Sequence, residues 1–472
     1  MHFCDVIIQR LNRLLPVTGR VSRNSVFSVT QSIVGVGTYF LAMRYVISVA
    51  GLEGVGLWSI TVGSVAMVRA LDLSGANGLA RMVAIKPDAE ESKAAYIDTM
   101  SIFIFMLYVV LVLVLYVPAL HIVRGMVSPA SALLAGNLLT LAMVSLPINV
   151  VGLAQLSAID GIGRADIRSV LNIGGFLVYG LFVSTLVRPI GVLGLAVAQI
   201  IQYVAVLIFA RMFLSSRLVR LRLLPVHFSR GALFETVHYG LRLQAASVPM
   251  ALFDPLSRIL VGRWAGLDAL GIYDLSYKLA GNTRTLVQAG LTPLIPEFTR
   301  LWSTDTTAAR CYHAGVSSRA MRTVALAFTT VILASPAFSW FLLSYISWEF
   351  LFNVSVLSLA WGVASCGLTT QLYARAAGLL RWSIIGQWCL LVLGVGLMYA
   401  ILPSVESVYA VVAVAAAIAI GHLIAFFGES RLLVLTPYGD GSSFKITVVA
   451  LVGFVAVAAA AAVFAVFVLR ER

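Results

Sequence analysis

The sequence predicts an all-α polytopic membrane protein that consists of two parallel six-helix lobes and an extra C-terminal transmembrane helix. The first observation is composition: 60% of the residues are hydrophobic and 11% are charged, whereas soluble domains carry about 25% charged residues. The second is length, because apolar stretches of about 20 residues, enough to cross a bilayer as helices, recur along the chain. The third is an internal repeat that relates the two halves of the chain.

The apolar stretches fall into two sets of six, which a basic connector at 215–230 separates. One more stretch follows near 446–468 and is the predicted extra helix. The spans of the two lobes are predicted at 25–49, 57–82, 95–119, 131–157, 169–187 and 190–213, and then at 233–262, 269–298, 316–345, 350–374, 383–402 and 405–428.

These spans divide the chain into four predicted regions. Residues 1–24 form a cytoplasmic N-terminal segment, in which 3–15 alternates apolar and polar residues with a helical period. That period predicts an amphipathic helix on the membrane surface. The N-lobe covers 25–222, the C-lobe covers 223–435, and the extra helix with its tail covers 436–472.

Three short features recur between the lobes at a nearly constant offset. Because each lobe has an even number of spans, both lobes enter the membrane the same way up. This predicts parallel repeats related by an axis along the membrane normal, with a binding site between them near the midplane. The features are GLEGVGLW at 51–58 with GLDALGIY at 266–273, QLSA at 155–158 with QLYA at 371–374, and Pro189 with Pro403, which we expect to open the sixth and twelfth spans.

The distribution of basic residues predicts which side of the membrane each loop faces. The N-terminal segment and every second loop after it hold most of the Lys and Arg residues outside the spans. Since basic residues favour the cytoplasmic side, we predict that the N-terminus is cytoplasmic. The alternate loops and the C-terminal tail hold only Arg124, Arg188, Arg263, Arg470 and Arg472.

No sequence pattern predicts catalytic or metal chemistry. HExxH, GxxxxGK[ST], GxSxG and CxxC do not occur in the sequence, and the outer loops are short with only scattered acidic or histidine residues. The four cysteines have neither metal-ligand spacing nor a disulfide framework. The net charge of +13 does not indicate nucleic-acid binding, because the basic residues are spread over short loops. We therefore predict a translocating protein without catalytic residues, metal or cofactor.

Ionisable residues inside the spans mark the candidate site, because each costs roughly 2.5–3.5 kcal/mol to insert. Arg69 and Asp72 lie one helical turn apart, and they either pair with each other or face a substrate. Arg284 has no carboxylate three or four residues away, so either another helix supplies one, Asp72 being the obvious partner, or the charge awaits a ligand. A positive excess favours an anionic ligand. The charges inside the spans are Arg44, Arg69, Arg242, Arg258, Lys278 and Arg284, against Asp72, Glu235, Asp254 and Asp274.

Several motifs resemble the polysaccharide exporters of the multidrug/oligosaccharidyl-lipid/polysaccharide (MOP) superfamily, in particular the lipid-linked oligosaccharide (O-antigen, Wzx-type) flippases. The resemblance covers the twelve spans of the two lobes. It departs from the family at Ser257 and Ser74, where the family often has Asp and Gly. The motifs are GLEGVGLW at 51–58, DLSG at 72–75, Arg81, RILVG at 258–262, GLDALGIY at 266–273 and KLA at 278–280.

The resemblance implies a MATE-like pair of lobes that alternates between inward-open and outward-open states in the cytoplasmic (inner) membrane. The implied substrate is an undecaprenyl-pyrophosphate-linked oligosaccharide. A polysaccharide polymerase and the glycosyltransferases of the same pathway are the implied partners, alongside membrane lipid and without nucleic acid. We expect pyrophosphate or acidic-sugar contacts from Arg44, Arg69, Lys278 and Arg284, and charge-setting or ion-coupling roles for Asp72, Asp254 and Asp274.

Two other functions remain open at this point. A cation-coupled multidrug exporter of the same superfamily is the main alternative, and it should have a net acidic lumen rather than a positive one. A membrane glycosyltransferase or polymerase is a third reading, and turnover of a sugar donor by the solubilised protein would identify it.

Overall fold

A computed structural model describes residues 19–70, 79–85, 90–218, 220–291, 294, 298, 301–302, 306–377, 381–401 and 407–435. The predicted amphipathic helix at 3–15, the predicted extra helix near 446–468, Asp72 and Pro403 lie outside these residues.

Helices account for almost all of the described chain, and no strand occurs among the described residues. Nine described helical stretches are long and apolar enough to cross a membrane, which confirms the all-α polytopic class. The helices are α1 (Gly19–Ala70), α2 (Leu79–Ile85), α3 (Glu90–Arg124), α4 (Ala132–Gly161), α5 (Ala165–Ile190), α6 (Leu193–Arg217), α7 (Arg230–Leu291), α8 (Thr306–Leu343), α9 (Trp348–Cys366), α10 (Leu368–Ala376), α11 (Arg381–Ile401) and α12 (Ser407–Leu435).

The chain forms two compact units, Met1–Pro255 and Leu256–Arg472. In the first unit, α4 packs against α3, α6 and α1, while α5 packs against α1 and α6. In the second unit, α12 packs against α11, α9 and α10, and α8 packs against α9. The 62-residue helix α7 begins in the first unit and ends in the second.

The internal repeat is visible in the backbone. Both α1 and α7 contain two predicted spans that join at a single glycine with non-helical dihedral angles. Gly51 has φ 67° and ψ −173°, and Gly266 has φ 86° and ψ 175°. Only glycine adopts this region of backbone space without steric strain. The matching positions therefore break their helices in the same way, as expected for two copies of one plan.

The proline of the first lobe does not open the sixth span. Pro189 is the penultimate residue of α5, and the chain turns at Gly191, where φ is 61°, before α6 begins at Leu193. Pro189 lacks the backbone N–H that would bond to the carbonyl four residues earlier, and α5 ends one residue after it. The prediction for Pro189 was wrong by a few residues, since the turn is made by the glycine.

Candidate functional site

The first unit contains a buried carboxylate with several donors around it. Asp98 on α3 is fully buried and its Oδ1 accepts a hydrogen bond of 2.6 Å from Nη2 of Arg211 on α6. Its Oδ2 accepts from the backbone N–H groups of Val226 and His227, at 3.1 and 3.3 Å, and lies 3.2 Å from the Nδ1 of His227. Because both oxygens of Asp98 are occupied, we interpret this cluster as structural.

The cluster fastens the basic connector to α3 and α6. Nε of Arg211 donates to the Leu223 carbonyl at 3.2 Å, and the N–H of Ser229 donates to Oγ1 of Thr99 at 2.9 Å. Just beyond the connector, the hydroxyl of Tyr96 donates to Glu235 on α7. The end of α3 thus holds the connector and the start of α7 through side chains that are unavailable to a ligand.

The second unit contains two arginines on the same helix with different surroundings. Arg258 is 2% exposed, and its Nε donates to Oδ1 of Asp274 at 2.7 Å. The guanidinium of Arg258 lies 5.9 Å from the ring centroid of Tyr277. Asp274 neutralises Arg258, so this pair adds no net charge to the lobe.

Arg284 lies two helical turns after Tyr277 on the same face of α7. Its guanidinium carbon lies 4.8 Å above the ring of Trp361 on α9, and its Nη2 lies 3.2 Å from Nε2 of His422 on α12. Its Nε is enclosed and makes no hydrogen bond to any residue that the structure describes. No ion pair joins Arg284 to a carboxylate among the described residues.

Trp361 connects the two arginines through aromatic rings. It meets the ring of Tyr277 at 5.9 Å and the ring of His422 at 5.9 Å, both edge to face. Trp361 is 2% exposed, and its indole N–H makes no hydrogen bond within the described part of the chain. Two enclosed N–H groups, one on the Arg284 guanidinium and one on the Trp361 indole, have no acceptor among the described residues. An anion with several oxygens could accept hydrogen bonds from both.

The predicted site residues differ in how far they are exposed. Arg44 and Arg69 on α1 are exposed, Lys278 and Asp254 on α7 are half-buried, and Asp274 is buried against Arg258. Arg284 is the predicted contact that this geometry places beside aromatic side chains and without a described counter-ion. The roles predicted for the other residues stay predictions.

Sequence reasoning missed the side chains that surround Arg284. His422 lies in the long apolar run of α12, and Trp361 lies in the apolar run of α9. Asp98, Arg211 and Glu429 were also passed over, although each is ionisable and buried in a helix. The usable signal was the presence of a single ionisable residue in an otherwise apolar span, which is costly unless it has a partner or a function.

Solved structures of similar fold support a transporter architecture. The chain is similar to an inward-facing multidrug resistance MATE family transporter of the MOP superfamily, with a TM-score of 0.71 and 13% identity over 87% of this chain and 98% of that one. It is also similar to an outward-facing MATE family transporter, with a TM-score of 0.62 and 14% identity over 88% and 95% of the two chains. These identities establish the fold and leave the substrate undetermined.

A MOP superfamily transporter from Pyrococcus furiosus has the same fold, with a TM-score of 0.60 and 16% identity over 88% of this chain and 96% of that one. Its description reports a binding pocket of reversed polarity that suggests a different function. No curated protein matches the sequence.

The sequence itself matches one family model over residues 56–345, which is more than half of the chain. The family is described as polysaccharide biosynthesis protein. The predicted resemblance is confirmed at the level of the polysaccharide biosynthesis protein family and of the MATE-like fold. The chain belongs to the polysaccharide biosynthesis protein family and has the MATE-like fold of the MOP superfamily transporters.

Proposed function

We propose that this protein is a flippase that moves an undecaprenyl-pyrophosphate-linked oligosaccharide across the cytoplasmic membrane for cell-surface polysaccharide synthesis. The observation that carries the proposal is Arg284, a guanidinium enclosed within the second unit without a described carboxylate partner. Guanidinium groups bind phosphate oxygens through two parallel hydrogen bonds, and the diphosphate is the charged part of such a substrate. The polysaccharide family match supports the same substrate class.

A multidrug exporter for organic cations fits this site less well. A cationic ligand near Arg284 would add like charge in a region that excludes water, where such repulsion is strong. Trp361 alone would favour a cation through its ring face, but Arg284 already occupies that face at 4.8 Å. The local chemistry therefore favours an anion.

Transport in this proposal is alternating access, and the protein acts as a transporter rather than as an enzyme. Membrane lipid surrounds it, and its functional partners are the polymerase and glycosyltransferases that consume and supply the glycan. The N-terminus is cytoplasmic in the inner membrane, as the positive-inside rule predicts. Reporter fusions at Arg220 and Ala309 should read cytoplasmic, and fusions at Arg124 and Glu349 should read external. The reverse pattern would refute this orientation.

Substitution of Arg284 tests the proposal in proteoliposomes that contain a labelled undecaprenyl-pyrophosphate oligosaccharide. The measurement is the rate at which the glycan becomes accessible to a reagent added on one side. Arg284→Ala should abolish translocation, because the diphosphate loses both parallel hydrogen bonds. Arg284→Lys should keep a fraction of the rate, because an ammonium preserves the charge without the planar fork.

Arg263→Ala is the matched control. Arg263 lies on the same helix, is exposed, and stacks on Trp264 at 5.8 Å, so its removal should leave translocation unchanged. Reconstituted levels of all variants must be equal for the rates to be compared. Full translocation by Arg284→Ala would remove Arg284 from the substrate site and leave the proposed function without its main support.

A further inference from the structure

The hydrogen bonds of His422 define its protonation state. Nδ1 lies 2.8 Å from the carbonyl oxygen of Ile418, which can only accept, so Nδ1 carries a hydrogen and donates it. Nε2 lies 3.2 Å from Nη2 of Arg284, which can only donate. Nε2 must therefore accept, and the imidazole is neutral when it contacts Arg284.

A proton on Nε2 would be incompatible with this contact. It would oppose two N–H groups and place two cations 3.2 Å apart. His422 is only 7% exposed, so water would screen this repulsion poorly. A proton and Arg284 therefore compete for the same lone pair of His422.

Among the described residues, the other groups packed around His422 carry no charge that competes with Arg284. On α9, Trp361 faces it and does not titrate. On α11, Gly386 and Leu390 pack against the neighbouring Gly421. Arg284 on α7 is the charged group among the described residues that acts on His422, and Arg284 is in turn influenced by Tyr277 and by Arg375 on α10.

We propose that His422 takes up a proton when an anion binds Arg284, so that the site binds a phosphate-type anion and a proton together. The proposal rests on the proposed function, in which the diphosphate of the substrate engages Arg284. An anion that accepts hydrogen bonds from the guanidinium draws it away from Nε2, which frees the lone pair. The negative charge of the anion then offsets the charge of the imidazolium.

The coupling works in both directions. If the anion strengthens proton binding at His422, the proton strengthens anion binding by the same factor. One linked proton changes the affinity by up to about tenfold per pH unit. Anion binding is therefore tightest on the acidic side of the titration and weakens as the pH rises. A transporter built in this way would take up a proton on the side where it loads its substrate and release it where the substrate leaves.

Binding calorimetry on the purified full-length protein in nanodiscs tests the proposal. Sulfate is the first probe, because its charge stays constant between about pH 5 and 8, where imidazole titrates. Inorganic pyrophosphate and undecaprenyl pyrophosphate are the second and third probes. Heats measured in buffers of different ionisation enthalpy give the number of protons taken up per bound anion.

The variants are His422→Gln, His121→Gln and Arg284→Ala. Glutamine offers Arg284 an acceptor oxygen but cannot take up a proton. His121 on α3 is the matched control, because its Nδ1 also contacts the carbonyl four residues earlier, at 3.3 Å, but it is exposed and belongs to the other unit. With sulfate, wild type and His121→Gln should take up about one proton per anion. His422→Gln should bind sulfate with no proton uptake and with an affinity that is independent of pH. The two diphosphate probes titrate themselves near about pH 6, so for them the proton uptake is measured as the difference between wild type and His422→Gln.

The outcomes separate this inference from the proposed function. Binding that requires Arg284 but takes up no proton in the wild type would overturn the role of His422 and leave the substrate proposal intact. Proton uptake that persists in His422→Gln would also overturn it. Anion binding that survives Arg284→Ala would overturn both. Proton uptake at His422 with inorganic pyrophosphate but not with undecaprenyl pyrophosphate would show that the site takes a soluble ion. That result would contradict a lipid-linked substrate.

Discussion

An arginine in each unit is matched by different kinds of partner. In the first unit, Arg211 is 6% exposed at its side chain and is matched by Asp98, which also accepts two backbone N–H groups. In the second unit, Arg284 is matched by a neutral imidazole and an aromatic ring, and no described carboxylate pairs with it. Arg211 has a carboxylate counter-ion, although its Nη1 makes no hydrogen bond to a described residue, whereas Arg284 has no described counter-ion.

This difference teaches how to distinguish a structural charge from a functional one. Burying a charge costs several kcal/mol, and a complete set of partners largely offsets that cost. Asp98 offsets the charge of Arg211, so we interpret this cluster as part of the fold rather than of a ligand site. The described partners of Arg284 are weak: the ring of Trp361 and a neutral nitrogen of His422. An anion can replace both partners without leaving a carboxylate unpaired.

Arg258 lies between these two cases. It is as buried as Arg211 and has the Asp274 carboxylate, and it also contacts the ring of Tyr277, which belongs to the aromatic chain leading to Arg284. The Arg258–Asp274 pair is neutral as a whole, so it adds no net charge to the cluster of Arg284, Trp361 and His422.

The largest expected effect is at Asp98. Asp98→Asn keeps the shape of the side chain but removes the charge, so Arg211 becomes a buried cation without a counter-ion. We expect the free energy of unfolding to fall by about 3–5 kcal/mol, measured as thermal unfolding in detergent together with the amount of protein in the membrane. The connector should also become accessible to protease near Leu223, because Arg211 no longer holds that carbonyl.

The double variant Asp98→Asn/Arg211→Met provides the control for this prediction. Replacing both partners by neutral side chains removes the uncompensated charge, so the double variant should be more stable than Asp98→Asn alone. If Asp98→Asn were as stable as the wild type, the Asp98–Arg211 cluster would not be a structural anchor. The contrast with Arg284 would then lose its basis.

The sequence predicted the all-α polytopic class well because the information is local. A span requires about 20 apolar residues, and the helix breaks at Gly51 and Gly266 follow from matching segments in the two halves. The sequence also selected Arg284, because no carboxylate lies one turn away from it.

The partners of the buried charges were beyond sequence reasoning because they come from distant helices. Asp98 and Arg211 are separated by 113 positions, and Arg284 and His422 by 138. Helical spacing indicates which residues share a face, but it does not indicate which face meets which neighbour. Sequence spacing drew attention to Lys278 as a neighbour of Asp274, and the structure shows that Arg258 on the preceding span bonds to the same carboxylate.

Glu429 on α12 extends the comparison to a buried acid that, like Arg284, has no ion pair among the described residues. It is 1% exposed, and one of its oxygens accepts a hydrogen bond from the hydroxyl of Ser383 on α11. Its other oxygen, Oε2, accepts no hydrogen bond from the described residues. Arg375 is a nearby cation whose charge acts on it, but no ion pair joins them in the described part of the chain.

The smallest expected effect is therefore at Glu429. An ionised carboxylate with an unpaired oxygen would cost several kcal/mol when it is this buried. We therefore expect the side chain to be a neutral carboxylic acid in the folded protein. Glu429→Gln replaces a neutral acid by a neutral amide of the same shape and keeps the acceptor for Ser383. The free energy of unfolding should then change by less than about 0.5 kcal/mol.

The same exchange of acid for amide should thus give a large loss of stability at Asp98 and almost none at Glu429. Thermal unfolding of the two variants side by side measures the difference. A loss at Glu429 as large as that at Asp98 would mean that Glu429 is ionised and paired, and that an unmatched polar atom in this fold does not indicate a neutral or ligand-binding group.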